Sequence, residues 1–157
     1  MIFTKNKYYL SFLLLIFAFS ACEKDDTCLE PMTPDLVLRL YDVNTPDAVK
    51  KVTHLTLVTL PDLDTIYKNK EMDSIAIPLN VNDDISRFKM IDDSNEDIVE
   101  FTYNREAVFV SKACGYKSIF HNLQVNIVAD SDNWIKNKEL IQSEIKTDTL
   151  AHVKIFH

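Results

Sequence analysis

The chain has 157 residues, with 17 Lys and Arg against 24 Asp and Glu, a formal charge of −7. That balance argues against nucleic acid and against an anionic lipid surface as partners. Forty-six per cent of the residues are hydrophobic and a single one is glycine. This is enough apolar material for one domain with a sizeable core, but a lone glycine excludes a Gly-x-Ser-x-Gly elbow, a P-loop and a dinucleotide-binding fingerprint.

The first stretch, Met1–Lys7, holds Lys5 and Lys7 and no acid, and an apolar run follows from Tyr8 to Phe19. About a dozen apolar residues is the length of a secretory leader core, short of the roughly 20 that a bilayer-spanning helix needs. The run ends Phe19-Ser20-Ala21-Cys22. Small residues directly before a cysteine resemble the bacterial lipobox, in which that cysteine is acylated and becomes the first residue; Phe19 stands where leucine is usual. The alternative is an ordinary signal peptide cut near Ala21, leaving Cys22 as a free thiol. The chain thus divides into a lipoprotein signal peptide at 1–21, a lipidated cysteine with an acidic tether at 22–34, and a folded domain at 35–157. Loss of Lys5 and Lys7 with the leader takes the charge from −7 to −9. Cys22-Glu23-Lys24-Asp25-Asp26 resembles the signal that sends lipoproteins of the Bacteroidetes to the cell surface, with Lys24, Asp25 and Asp26 as its charged members; a solvated linker is the alternative. With Cys22 lipidated, Cys28 and Cys114 remain as a disulfide pair in an oxidising compartment.

Beyond the tether, apolar and polar residues alternate in short runs. Asp35–Tyr41 places Leu36, Leu38 and Leu40 on one face and Val37, Arg39 and Tyr41 on the other, the period of a half-buried strand. His54–Leu60, ended by Pro61, and the short Thr65–Tyr67 follow. Ser74–Leu79 alternates too, but Pro78 has no N–H and puts this strand at an edge or beside a bulge. Arg87–Ile91 and Ile98–Tyr103 flank an acidic loop, Asp92–Asp97, and Ala107–Lys112 reads as a returning hairpin partner. Arg105–Phe120 reads as a buried strand running into a turn at Gly115, where glycine takes a positive φ cheaply. Ile119–Val128 points Leu123, Val125 and Ile127 inward. Lys136–Ile145 is the one candidate helix, and Ala151–Phe156 closes the chain as a strand. Asp and Asn fill turn positions that glycine would otherwise take, since both tolerate the left-handed region. Nine or ten short strands about ten residues apart predict an all-β fold. The expected form is a single-domain antiparallel β-sandwich of Ig-like arrangement, with a closed β-barrel as runner-up.

Several stretches together carry a resemblance: the lipobox with Glu-Lys-Asp-Asp-Thr-Cys28, Thr33–Asp42, Asp73–Leu79, the block Ala113-Cys114-Gly115-Tyr116 within Arg105–Phe120, and the ending Ala151–Phe156. They look like a family of small Bacteroidetes lipoproteins classed as a domain of unknown function. The resemblance implies a localisation and a shared fold, and brings no activity, substrate or site residues.

The candidate chemistry is sparse. Asp93-x-Asn95-x-Asp97 has the spacing that opens an EF-hand loop, but Ile98 and Asn104 occupy the positions that need Gly and Glu. It reads as a polar hairpin turn, as does Asp130–Asn133; a looser surface calcium site on this loop or on Asp130, Asp132 and Asn133 is the alternative. His54, His121, His152 and His157 lack a second ligand at metal spacing, so no metal is predicted. Cys114 fits a disulfide better than a nucleophile. Trp134, Tyr103 and Tyr116 could stack on sugar, though a lone tryptophan usually belongs to the core. Asp64-Thr65-Ile66, Asp73-Ser74-Ile75 and Asp148-Thr149-Leu150 resemble the Asp-Ser/Thr-apolar acceptor of envelope proteins in the same phylum. Thr65, Ser74 and Thr149 are therefore candidate O-glycosylation sites; an Asp that closes a turn before a strand is the alternative.

These readings predict a lipid-anchored protein of the outer membrane, exposed at the cell surface, with the periplasmic face as the alternative. It is expected to have no catalysis of its own and no cofactor, and to be an accessory binding or structural component of the envelope. Its partners would be the membrane, through the lipid, and an envelope protein or glycan. A carbohydrate-binding module is the alternative, and a small hydrolase a more distant one.

Overall fold

The computed structural model describes Cys28 and residues 32–157. The leader, the acylation candidate Cys22 and the export candidates Lys24, Asp25 and Asp26 lie outside the described residues. Among those described there is no helix, and nine strands run β1 (Leu36–Tyr41), β2 (Val52–Leu60), β3 (Thr65–Met72), β4 (Ser74–Ile77), β5 (Ile85–Asp92), β6 (Asn95–Ser111), β7 (Gly115–Ile127), β8 (Asn137–Leu140) and β9 (Val153–Phe156). They form two sheets, ordered β4-β1-β9-β8 and β3-β2-β5-β6-β7. The fold is a β-sandwich. Each sheet keeps two edge strands, so the barrel alternative does not hold. Among the described strands the one departure from antiparallel pairing is β1 against β9, where Leu38 lies beside Val153 and Leu40 beside Ile155.

The core follows from the two-residue period. Leu36, Leu38 and Leu40 of β1 and Ile75 and Ile77 of β4 are fully buried, and from the other sheet Leu55, Leu57, Phe88, Met90, Val99 and Phe101 join the same cluster. Fully burying each such side chain stabilises the fold by roughly 1.5–3 kcal/mol. β4 stands at an edge, as Pro78 just beyond its end requires.

Glycine's usual places are taken as the composition implies. Positive φ falls on Asn69, Asp93 and Asn122, on Leu63 in an exposed turn, and on Gly115 at φ 71. Asp93 opens the two-residue turn between β5 and β6, where Asp92 pairs with Asn95. Asn69 and Asn122 instead lie inside β3 and β7, where the registers with β2 and β6 shift. The left-handed residue absorbs the extra position of a bulge.

Three expectations are corrected. Lys136–Ile145 is not helical: Asn137–Leu140 pairs with β9, and the amides of Ile141 and Gln142 both donate to the His152 carbonyl. Ala107–Lys112 is not a separate strand after a turn, because β6 runs unbroken for 17 residues. Asn104 marks only a register shift against β7. The expectation of a buried strand over Arg105–Phe120 fails for the same reason. β5 pairs with β6 only as far as Thr102, and from Asn104 onward β6 has β7 alone for a strand partner and is exposed or half-buried.

Candidate functional site

The most built feature is the far end of the β6–β7 hairpin. From Asn104 to Ser111, β6 pairs only with β7, and past the bridge of Phe120 to Ile145 the hairpin is a two-stranded ribbon roughly 20 Å long. At its tip Cys114 is joined to Cys28 by a disulfide, with Cα atoms 4.9 Å apart and 86 residues between them in sequence. The predicted pair is therefore present. The Cys114 amide donates to Ser111 Oγ at 3.0 Å, which tightens the turn, and the Ser118 amide donates to Thr33 Oγ1 at 3.0 Å. The segment leading to β1 is thus fastened to the ribbon at two points. Beside the bridge, Phe109 and Tyr116 face each other across the strands, with ring centroids 5.4 Å apart. They remain 55% and 70% exposed.

A second feature is a polar cavity of about 340 Å³ near the opposite edge of the same sheet. The end of β2 (Thr59, Leu60), the turn holding Asp62 and Asp64, the loop residues Pro78, Leu79, Asn80 and Asn82 and the start of β5 (Ile85–Phe88) line it, and it is open to solvent. Two of its lining residues, Asn80 and Ser86, are tied to Tyr103 behind them by a closed cycle of hydrogen bonds. The Asn80 amide donates to Ser86 Oγ at 2.8 Å, Ser86 Oγ lies 2.6 Å from the Tyr103 hydroxyl, and that hydroxyl donates to the Asn80 carbonyl at 3.0 Å. Burial pushes the Tyr103 phenol up, outweighing the lowering by Ser86 and Asn80, so it stays a donor. Arg87 is committed to Glu100 at 2.6 Å. The lining offers carboxylates and amides for a polar ligand and contains no histidine.

The histidines do not form one site. His121 lies between Glu106 (2.8 Å) and Glu144 (3.5 Å). His152 closes β9 onto β1: its ring Nδ1 accepts from the Val37 amide at 3.0 Å, and its own amide donates to the Val37 carbonyl. His157 Nε2 lies 3.3 Å from the Lys50 carbonyl. His54 is a different case. Pairing of Leu55 with Asp92 brings it to Asp92 and Asp93, and one ligand atom of each lies within 4.8 Å of the others. His54 Nδ1 already meets Asp93 Oδ1 at 3.0 Å, while Asp92 Oδ1 is buried without a hydrogen-bond partner. Those three side chains could hold a divalent cation once that contact opens. Sequence spacing misses the set, since only strand pairing brings residues 54 and 92 together.

The two acidic turns also meet. Asp97 is fully buried, and its carboxylate accepts from the Ile135 amide at 2.7 Å and from Asn133 Nδ2 at 3.0 Å. Asn95 Nδ2 donates to the Asp132 carbonyl at 2.7 Å, and the Asp132 amide donates to Asp130 Oδ1 at 3.0 Å. These groups fix turns. Trp134 is core, its indole N–H donating to the Met90 carbonyl at 3.1 Å, and Tyr103 is buried too. With Tyr116 at the ribbon tip, the three aromatics share no platform. Of the glycosylation candidates, Thr65 and Thr149 are exposed and Ser74 is half-buried at the start of β4.

One family, described as Family of unknown function (DUF6452), matches residues 54–157. The chain belongs to it. The DUF6452 stretch opens at His54 in β2 and takes in the ribbon, Cys114, the cavity and the His54 set; Cys28 and β1 precede it. No curated protein and no solved structure matches this member of DUF6452.

Proposed function

We propose that this chain is a lipid-anchored lipoprotein of the bacterial outer membrane with no catalysis of its own. Its sandwich serves as an accessory binding or structural module of the envelope. The observation that carries the reading is the Cys28–Cys114 bridge, six residues past the candidate acylation site. A structural disulfide belongs to an oxidising compartment, and this one fastens the tether to the domain. The leader pattern and the small residues before Cys22 add the anchor, and Lys24, Asp25 and Asp26 add export to the cell surface. Two or more acyl chains make a stable anchor at about 0.8 kcal/mol per buried CH₂. Cys22→Ser is expected to release the protein from membranes or stall its processing; unchanged fractionation and migration would contradict the anchor. Replacing Lys24, Asp25 and Asp26 with alanine should keep the lipid and lose protease access on whole cells. On this reading the Bacteroidetes are the source, and the exposed Thr65 and Thr149 are better glycan acceptors than Ser74.

The polar cavity favours one second reading, a carbohydrate-binding module. Its carboxylates and amides suit sugar hydroxyls, although no aromatic platform accompanies them. Chemical-shift changes at Asn80, Ser86 and Arg87 on adding oligosaccharides would support it, and no change at millimolar sugar would remove it.

A further inference from the structure

The ribbon tip differs in chemistry from the rest of the molecule. From Ala107 to Ile119 the sequence carries Lys112 and Lys117 and not one acid, in a chain whose formal charge is −7. Phe109 and Tyr116 are register partners and so share one face, and each leaves more than half of its surface in solvent. Cross-strand aromatic pairs do stabilise a ribbon, but that role needs no such exposure. The overall charge argues against an anionic surface; the two strands of the tip carry none of that negative charge, and the acids nearest to them in sequence are those of the tether, Glu23, Asp25 and Asp26.

The tether decides where this tip sits. Cys22 and Cys28 are six residues apart, at most about 20 Å when fully extended. The bridge then puts the Cys114 Cα 4.9 Å from that of Cys28. An acylated Cys22 therefore keeps the tip within about 25 Å of the bilayer, while the β5–β6 turn lies at the other end of β6.

We propose that the tip of the β6–β7 ribbon docks on the lipid surface, with Phe109 and Tyr116 entering the interfacial layer and Lys112 and Lys117 facing the phosphates. This rests on the lipid-anchor reading above. Tyr116, with an apolar body and a polar tip, favours that layer, Phe109 beside it adds apolar area, and basic residues add attraction to anionic lipid. The sandwich would then stand on its ribbon, held at one point by acyl chains and at a second by the tip. The β5–β6 turn and its end of the core would be presented away from the membrane.

The test uses the mature, acylated protein in phosphatidylcholine–phosphatidylglycerol vesicles brominated near the headgroup end of the acyl chains. Phe109→Trp and Tyr116→Trp keep the aromatic pair and place a reporter at the tip. Trp134, buried under Met90 at the other end of β6, is the internal reference. Flotation with the vesicles reads the anchor, and quenching reads the docking. The expected result is flotation of all proteins, at least twofold quenching of the added tryptophan, and none of Trp134. Reversing both lysines, Lys112→Glu with Lys117→Glu, should reduce that quenching at low salt. Flotation with no quenching above that of Trp134 would overturn the docking and leave the anchor standing. Failure to float would overturn both. A blue-shifted tip tryptophan without lipid, in a protein of dimeric mass, would assign the pair to a second copy and overturn the proposal.

Discussion

Breaking the Cys28–Cys114 bridge isolates its contribution cleanly, because Cys28 is exposed and precedes the first strand. The loop it closes spans 86 residues. In the chain-entropy picture a loop of that size stabilises the fold by roughly 4–5 kcal/mol, chiefly by restricting the unfolded chain. That is a large share of the 5–15 kcal/mol typical of a domain. For a domain of this size it corresponds to a fall of roughly 15 °C in melting temperature. Cys28→Ser and Cys114→Ser should each show that fall by circular dichroism, and the double variant should add little, since either change opens the same loop. Wild-type protein unfolded under reducing conditions should match them. Thiol titration of the unreduced, denatured wild type must show no free Cys28 or Cys114 for the comparison to count. A single variant melting within about 3 °C of the bridged wild type, or a double variant with twice the loss, would refute the reasoning.

Burial holds the His152 ring below the usual histidine range, against raising by the Thr147 backbone and Asp148, and burial lowers His157 as well. The unfolded ring binds its proton near 6.5, so this stability is fully present above that pH and is lost as pH falls through the depressed native value. Urea midpoints should drop between pH 7 and pH 5, and His152→Gln should flatten the drop; an unchanged slope would count against the buried neutral ring. Tyr103→Phe opens the hydrogen-bond cycle at the cavity wall and should cost about 1–2 kcal/mol in urea unfolding, where a loss too small to measure would show the cycle to be inert. Asp97→Ala strands the buried Ile135 amide, at roughly 1–3 kcal/mol for that group alone. Asp132→Ala, on the surface, should cost far less, and equal losses would contradict the role given to Asp97.

Much of the sandwich was legible because its faces alternate. The leucines of β1, the isoleucines of β4 and the Phe101 face of β6 carry the two-residue period in plain form. The need for a positive φ at Gly115 could be read from its being the lone glycine. The ribbon was not legible: Asn104-Arg105-Glu106 is exposed and polar because β5 no longer pairs with β6 there, and three polar residues in a row read as a turn. β8 was missed because an exposed edge strand carrying Lys138 and Glu139 has no apolar face to give it a period. Of the sites, the disulfide followed from dividing the cysteines by role. The cavity wall and the His54–Asp92–Asp93 set depend on which strands neighbour each other, and a single sequence does not encode that order locally.

The central claim is that this domain is held at a membrane by lipid on Cys22, and the mass of its amino terminus tests it most directly. Trypsin cuts after Lys24, so the protein isolated from its native envelope should yield Cys22-Glu23-Lys24 as its first peptide. The account predicts that peptide plus a diacylglyceryl group on sulfur, with no peptide from residues 1–21. An unmodified peptide starting at Cys22, or a leader still attached, would contradict it.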